Sequence, residues 1–152
     1  MVTEVNLQAI KNEAAKLYID GDYYCSEAIV ATIRKHFQAD IPIETVAMAS
    51  GFPIGVGGAK CMCGAIPGGI MCIGYFFGRI APGDPKVKKT MELSLELLND
   101  FKHRNRVLCC HILTKNMEMG SATHKNQCAI FTGEVAEKTA EIIARELEID
   151  CN

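Results

Sequence analysis

The sequence predicts an all-α fold, a single-domain bundle of about six to seven helices around a central buried helix rich in glycine and alanine. Apolar residues recur at a helical period along most of the chain, and no segment alternates convincingly with a period of two. The length of 152 residues is typical of one domain, so one domain is expected over residues 1–152. With 49% hydrophobic residues, the chain can bury a core.

Helical spacing predicts three helices in the first third of the chain. The first is expected from about Val5 to Ile19 and the second from about Cys25 to Phe37. A short third helix is expected from about Pro42 to Ser50, because proline suits the first helical position. The stretch Gly51–Lys60 is too rich in glycine for regular structure, so it predicts a loop.

The remainder of the chain predicts four more helices. The central buried helix is expected from about Cys63 to Phe77. Asp84 followed by Pro85 is a strong helix start. The apolar face of the helix that follows is predicted to consist of Val87, Met91, Leu95, Leu98 and Phe101. Two further helices are expected, at about Leu108–Met117 and Gln127–Leu147.

Composition and charge exclude several classes of partner. The net charge is −2 and the basic residues are scattered, which argues against nucleic-acid binding. The uncharged segment from Cys61 to Gly78 contains Pro67 and several glycines, so it predicts a helix buried in protein and not a membrane span. The charged N-terminal segment has no apolar core of a secretion signal, so a reducing, cytoplasmic location is expected.

The eight cysteines are the unusual feature of the composition. They are Cys25, Cys61, Cys63, Cys72, Cys109, Cys110, Cys128 and Cys151. In a reducing compartment, clustered cysteines more often bind metal or perform redox chemistry than form structural disulfides. Free cysteine also serves as buried apolar packing, which is the role expected of Cys72. Cys151 is expected at a frayed chain end, where it has no role.

Four cysteines are placed in the first turns of predicted helices: Cys25, Cys63, Cys110 and Cys128. A helix N-terminus offers unpaired N–H groups and a positive dipole end, which lower the pKa of a thiol. Thiolates both ligate metals and attack disulfides. If the four helix starts meet, they would suit an iron–sulfur cluster, or alternatively a reactive dithiol.

Small residues follow the second of these cysteines. Gly64, Ala65 and Gly68 lie on one predicted helical face, which would allow close approach of a cofactor, of another helix, or of the same helix in a second subunit. A homodimer is therefore expected. His36, His103 and His124 are predicted to be solvated, whereas His111, next to Cys110, could ligate a metal or polarise a thiol.

The chain resembles the redox-active protein family named for its cysteine pattern, C_GCAxxG_C_C. The resemblance is carried by Tyr24-Cys25-Ser26-Glu27-Ala28, by the glycine-rich loop leading to Cys63-Gly64-Ala65-Ile66-Pro67-Gly68, by Cys110 followed by Leu113, and by Cys128. It implies a helical protein of anaerobic bacteria or archaea with four functional cysteines, similar to the iron–sulfur part of split-Soret cytochromes. The sequence has no haem attachment motif, so haem is not expected.

Three interpretations of these cysteines stay open. The leading one is an iron–sulfur cluster, for example of the [2Fe-2S] type, held by the four thiolates for electron transfer or redox sensing. The second is a thiol–disulfide or peroxide reductase in which one cysteine attacks and another resolves. The third is a structural site for zinc or another metal. A redox partner protein is expected for the first two.

Overall fold

Seven helices make up the fold in a computed structural model that describes all residues 1–152. They are α1 Leu7–Ile19, α2 Cys25–His36, α3 Glu44–Met48, α4 Ala65–Phe77, α5 Val87–Asn105, α6 Cys110–Leu113 and α7 Ala122–Glu146. The only strands are the two-residue segments β1 Glu4–Val5 and β2 Asp150–Cys151. The predicted all-α fold class is confirmed. No helix has the length and apolar character needed to cross a membrane.

Helix α4 lies at the centre, packed against α2, α5 and α7. Close packing explains its glycines. A Cβ atom on Gly68 would come within 2.8 Å of the backbone of Ser26 in α2, and one on Gly69 within 2.5 Å of Thr139 Oγ1 in α7. Only glycine allows the helices to approach this closely. The predicted central helix, buried and rich in glycine and alanine, is confirmed.

The two chain ends are joined by the strands. β1 and β2 pair in parallel, with Val5 opposite Cys151. Asn152 N donates to Val5 O at 2.9 Å, and Leu7 N donates to Asn152 O at 3.3 Å. The expectation of a frayed C-terminus around Cys151 is therefore wrong, because backbone hydrogen bonds hold it next to the start of α1.

The predicted apolar face of α5 is partly wrong. Its buried residues are Leu93, Leu97 and Phe101, whereas Met91 and Leu95 are 65% and 56% exposed. The helix carries two overlapping apolar stripes, and its packing against α4 and α7 decides which one is buried.

Three of the helices predicted to begin near a cysteine start at other residues. α4 begins at Ala65, two residues after Cys63, and α6 covers only Cys110–Leu113. α7 begins at Ala122, because Ser121 Oγ accepts a hydrogen bond from His124 N at 3.2 Å and caps the helix there. Cys128 therefore lies inside α7 and not in its first turn, so the helix N-terminus does not act on this thiol.

Candidate functional site: a cavity lined by four cysteines

One small cavity brings together four cysteines from four separate segments. Cys25 is the first residue of α2, Cys63 precedes α4, Cys110 is the first residue of α6, and Cys128 lies in α7. The cavity has a volume of about 30 Å³, enough for a guest of about the size of water. The remaining lining residues are Tyr18, Tyr24, Ile54, Gly55, Gly64 and His124. Cys25, Cys63, Cys110 and Cys128 are called the cavity cysteines below.

Hydrogen bonds at the start of α2 hold Cys25 in place. Tyr24 N donates to Glu27 Oε1 at 3.0 Å, which caps the helix. The buried Ser26 hydroxyl donates to Ala49 O at 2.7 Å and ties α2 to the end of α3. The residues on both sides of Cys25 are thus fixed, and the thiol is only 8% exposed.

The glycine-rich loop wraps over the cavity in a left-handed conformation. Ile54, Val56 and Lys60 have φ angles of 56°, 70° and 57°, which are costly for side chains with a Cβ atom. Cys61 N donates to Gly55 O at 2.9 Å, and a Cβ on Gly55 would lie 2.4 Å from that nitrogen. The predicted loop is thus a tightly wound, strained turn that brings two of its residues to the cavity.

A short antiparallel pairing places Cys63 next to the segment that carries Cys110. Met62 pairs with Cys109, and Cys63 N donates to Leu108 O at 2.8 Å. These backbone bonds connect the end of the glycine-rich loop to the start of α6. Two cavity cysteines from distant parts of the sequence are therefore held side by side.

Gly64 forms the wall between Cys63 and Cys25. A Cβ atom at this position would lie 2.5 Å from Phe52 O and 3.1 Å from Cys25 Sγ. Real Cβ atoms do not approach backbone oxygen so closely, so glycine is required here for a steric reason and not for a turn.

Two of the three small residues predicted to contact a cofactor face elsewhere. Gly64 lines the cavity, but Ala65 is fully buried in the core and Gly68 packs on Ser26 of α2. Of the alternatives left open for this face, close packing against another helix is the one that the contact of Gly68 with α2 illustrates. The homodimer remains a prediction, and the helical face of small residues gives it no support.

Burial strongly raises the pKa of two cavity thiols, those of Cys25 and Cys63. It raises the pKa of Cys25, as does the neighbouring Cys63, and it raises the pKa of Cys63 to about 12. The backbone N–H groups of Ser26 and Ala65 act in the opposite direction. The expected lowering of thiol pKa by helix starts is therefore present but smaller than the desolvation effect.

The other two cavity thiols face groups that oppose the effect of burial. Burial raises the pKa of Cys110, while Thr114 and the nearby Lys60 cation lower it. Burial also raises the pKa of Cys128, which the Tyr18 hydroxyl lowers and Cys110 raises further. Charge on one cavity cysteine thus influences the pKa of the next.

His124 is the site residue that sequence reasoning missed. It is 6% exposed, contrary to the prediction of a solvated side chain, and its Nε2 lies 3.4 Å from Cys128 Sγ. Burial and the cations Lys60 and Lys125 lower its pKa. The available signal was the spacing of four residues between His124 and Cys128, which places both side chains on one face of α7.

The other histidines lie away from the cavity. His36 Nε2 is 2.5 Å from Glu13 Oε2 at the packing of α2 on α1, and is therefore partly buried where a solvated side chain was predicted. His103 is exposed, as expected. His111 is also exposed and does not line the cavity. The structure therefore gives no support to the prediction that His111 ligates a metal or polarises the Cys110 thiol.

A larger open pocket adjoins the cavity. Its volume is about 420 Å³, and it shares Tyr18 and Tyr24 with the cysteine cavity. The remaining lining residues are Ile19, Gly21, Asp22, Tyr23, Glu27 and Lys125. Two tyrosines therefore separate the thiols from a space of the size of a small organic molecule.

The donors fit an iron–sulfur cluster or a zinc ion in kind and number. Four thiols are the usual ligand set of both. As arranged, however, no three His, Cys, Asp or Glu side chains are close enough together to hold a single ion. The thiols surround the cavity without converging on one point, so binding would require them to turn toward it.

Residues 23–142 match the model of a family described as "Putative redox-active protein (C_GCAxxG_C_C)". The matched span covers most of the chain and contains all four cavity cysteines. The chain belongs to this family. Membership of the C_GCAxxG_C_C family indicates redox activity based on several cysteines. No curated protein and no solved structure matches the chain.

Proposed function

We propose that this protein binds an iron–sulfur cluster through Cys25, Cys63, Cys110 and Cys128 and serves in electron transfer or redox sensing. The observation that supports the proposal is the gathering of four of the eight cysteines, from four segments, around one secluded cavity. A dithiol enzyme needs two cysteines, whereas an iron–sulfur cluster commonly uses four.

The chain itself would set the properties of the cluster. A bound cluster supplies reversible one-electron chemistry. The backbone N–H groups of Ser26 and Ala65 lower the pKa of Cys25 and Cys63, and N–H donors of this kind stabilise negative charge on a ligand sulfur. Because burial keeps the thiols protonated, they must release protons when they become ligands, so loading should improve as the pH rises.

A second candidate is a thiol–disulfide or peroxide reductase that uses two cavity cysteines. It is favoured by the absence of three side chains already close enough to hold an ion, and by the adjoining pocket of about 420 Å³. Two thiols would give up two protons and two electrons, forming one S–S bond while the S–S or O–O bond of the substrate is cleaved. Structural zinc on the same thiols is the third candidate.

The cellular setting belongs to the same proposal. Free cysteines and an oxygen-sensitive cluster both require a reducing environment, so we place the protein in the cytoplasm of an anaerobe. A redox partner protein would exchange electrons with it. Homodimer formation is retained as a proposal that sedimentation velocity can test.

Anaerobic purification followed by assays of iron and acid-labile sulfide tests the function. We expect broad visible absorption with stoichiometric iron and sulfide, lost in Cys63→Ser and kept in Cys151→Ser, whose thiol is exposed at the chain end. A colourless, iron-free protein that loses two free thiols on mild oxidation would instead establish the dithiol enzyme. A colourless protein with one zinc per chain would establish the third candidate.

A further inference from the structure

We infer that His124 is a fixed hydrogen-bond donor to Cys128, which tunes the charge on this sulfur and does not itself bind metal. The inference rests on the proposed function in that Cys128 is one of the redox cysteines. The imidazole is 6% exposed and lines the cavity, and its Nε2 lies 3.4 Å from Cys128 Sγ.

The second ring nitrogen determines the tautomer. Gly120 N donates a hydrogen bond to His124 Nδ1 at 3.2 Å, so the lone pair of Nδ1 is in use. A neutral imidazole carries one N–H group, which must therefore be on Nε2. That hydrogen is on the nitrogen that faces Cys128.

The start of α7 is built to hold this arrangement. Gly120 has a φ angle of 82°, in the left-handed region where glycine is favoured, and its N–H group donates to the ring from there. Ser121 caps the helix by accepting from His124 N at 3.2 Å. Because His124 and Cys128 are four residues apart in the helix, their side chains lie on the same face.

Two chemical consequences follow for the sulfur. An N–H donor stabilises negative charge on a thiolate, and it raises the reduction potential of a cluster that the thiolate ligates. A nitrogen that ligates metal must offer a lone pair, and Nε2 in this tautomer has none to offer. His124 is therefore a tuning residue next to a cysteine ligand and not a fifth ligand.

Two substitutions distinguish the role of Nε2 of His124 from the role of Nδ1. The amide nitrogen of His124→Gln reaches about as far as Nε2 and retains a donor to Cys128, whereas His124→Asn retains an acceptor for Gly120 but has no group near the sulfur. The readout is the rate at which iodoacetamide alkylates Cys128 in reduced, metal-free protein at pH 8, mapped by mass spectrometry. Cys151 in the same samples is the internal reference, because its thiol is exposed and lies outside the cavity.

We expect alkylation of Cys128 to be about threefold slower in His124→Asn and close to the wild-type rate in His124→Gln. Loss of the donor should raise the pKa of the Cys128 thiol and so lower the thiolate fraction at pH 8, and the higher nucleophilicity of the more basic thiolate offsets part of that fall. Equal rates in all three proteins, or a slow rate in the glutamine variant, would overturn the inference. Because the protein is free of metal, this outcome is independent of whether a cluster binds.

A purely structural role for His124 predicts a different pattern. If only the bond to Gly120 matters, the asparagine variant should behave like wild type and the glutamine variant should not. Alkylation of Cys72, which is 2% exposed, reports any loss of folding in either variant. In the loaded protein, the reduction potential of His124→Asn should be more negative than that of His124→Gln.

Discussion

The cavity cysteines differ from the buried Cys72 in their neighbours more than in their burial. Cys72 in α4 is 2% exposed, less than Cys25 at 8%, yet burial alone raises its pKa. The pKa of Cys25 is raised by burial and also by Cys63. Cys61 and Cys151 are exposed and line no part of the cavity. Burial alone therefore does not distinguish a candidate site, whereas the shared cavity sets four cysteines apart from the rest.

The largest effect should be a loss of stability of the reduced, metal-free protein at alkaline pH. The pKa of Cys63 is raised to about 12, so the folded state retains a proton that the unfolded state loses above about pH 8.5. The contribution of the protonated Cys63 thiol to the free energy of unfolding is complete below pH 8.5 and is lost as the pH rises toward 12. At pH 9.5 each strongly buried cysteine should cost about 1.4 kcal/mol, or about 4 kcal/mol for Cys25, Cys63 and Cys72 together.

Urea unfolding at pH 7.5 and pH 9.5 measures this loss. Cys63→Ala and Cys72→Ala should each reduce the difference between the two pH values by about 1.4 kcal/mol, because both remove a buried thiol. Cys61→Ala, which removes an exposed thiol, should leave the difference unchanged. If the exposed and buried variants behave alike, the assignment of raised pKa values to the buried thiols is wrong.

A smaller effect is expected when the cavity wall is thickened. Gly64→Ala places a methyl group 2.5 Å from Phe52 O and 3.1 Å from Cys25 Sγ, so the loop or α2 must move. We expect the free energy of unfolding to fall by about 2 kcal/mol, as is typical of overpacking. Thermal or urea denaturation of the metal-free protein measures it. An unchanged midpoint would show that the wall is less tightly packed than described.

The smallest effect is a gain in stability at a glycine of the same helix away from the cavity. Gly74 in α4 has no atom within 4 Å of the position its Cβ would take. Gly74→Ala should raise the free energy of unfolding by about 0.5–1 kcal/mol, because alanine loses less conformational freedom in a helix. The same denaturation assay checks this. A loss of stability would mean that the outer face of α4 is covered in solution.

Local signals were sufficient to predict two of the helices that surround the cavity, one that begins with Cys25 and one that follows Cys63. The start of α2 at Cys25 and the central position of α4 follow from apolar period and glycine content, and both are confirmed. The hydrogen bond of Asp84 in the turn before α5 is also local, since its Oδ1 accepts from Lys86 N at 2.9 Å. Such features depend on residues a few positions apart, so sequence alone can specify them.

Features that depend on tertiary packing could not be predicted. Which stripe of α5 is buried depends on Gly69 of α4. Because Gly69 has no side chain, Leu97 of α5 can pack directly against it. The pKa of the cavity thiols depends on burial, which outweighs the helix starts that were visible in the sequence. The role of His124 required the position of Gly120 in three dimensions.

Iron and acid-labile sulfide per chain in eight single cysteine-to-serine variants, all purified without oxygen, test the central claim most directly. Loss of both is predicted for the four cavity variants, Cys25→Ser, Cys63→Ser, Cys110→Ser and Cys128→Ser. Wild-type contents are predicted for the other four, Cys61→Ser, Cys72→Ser, Cys109→Ser and Cys151→Ser. Full iron in any cavity variant, or complete loss in Cys109→Ser next to an intact Cys110, would contradict the assignment of the site to the cavity cysteines.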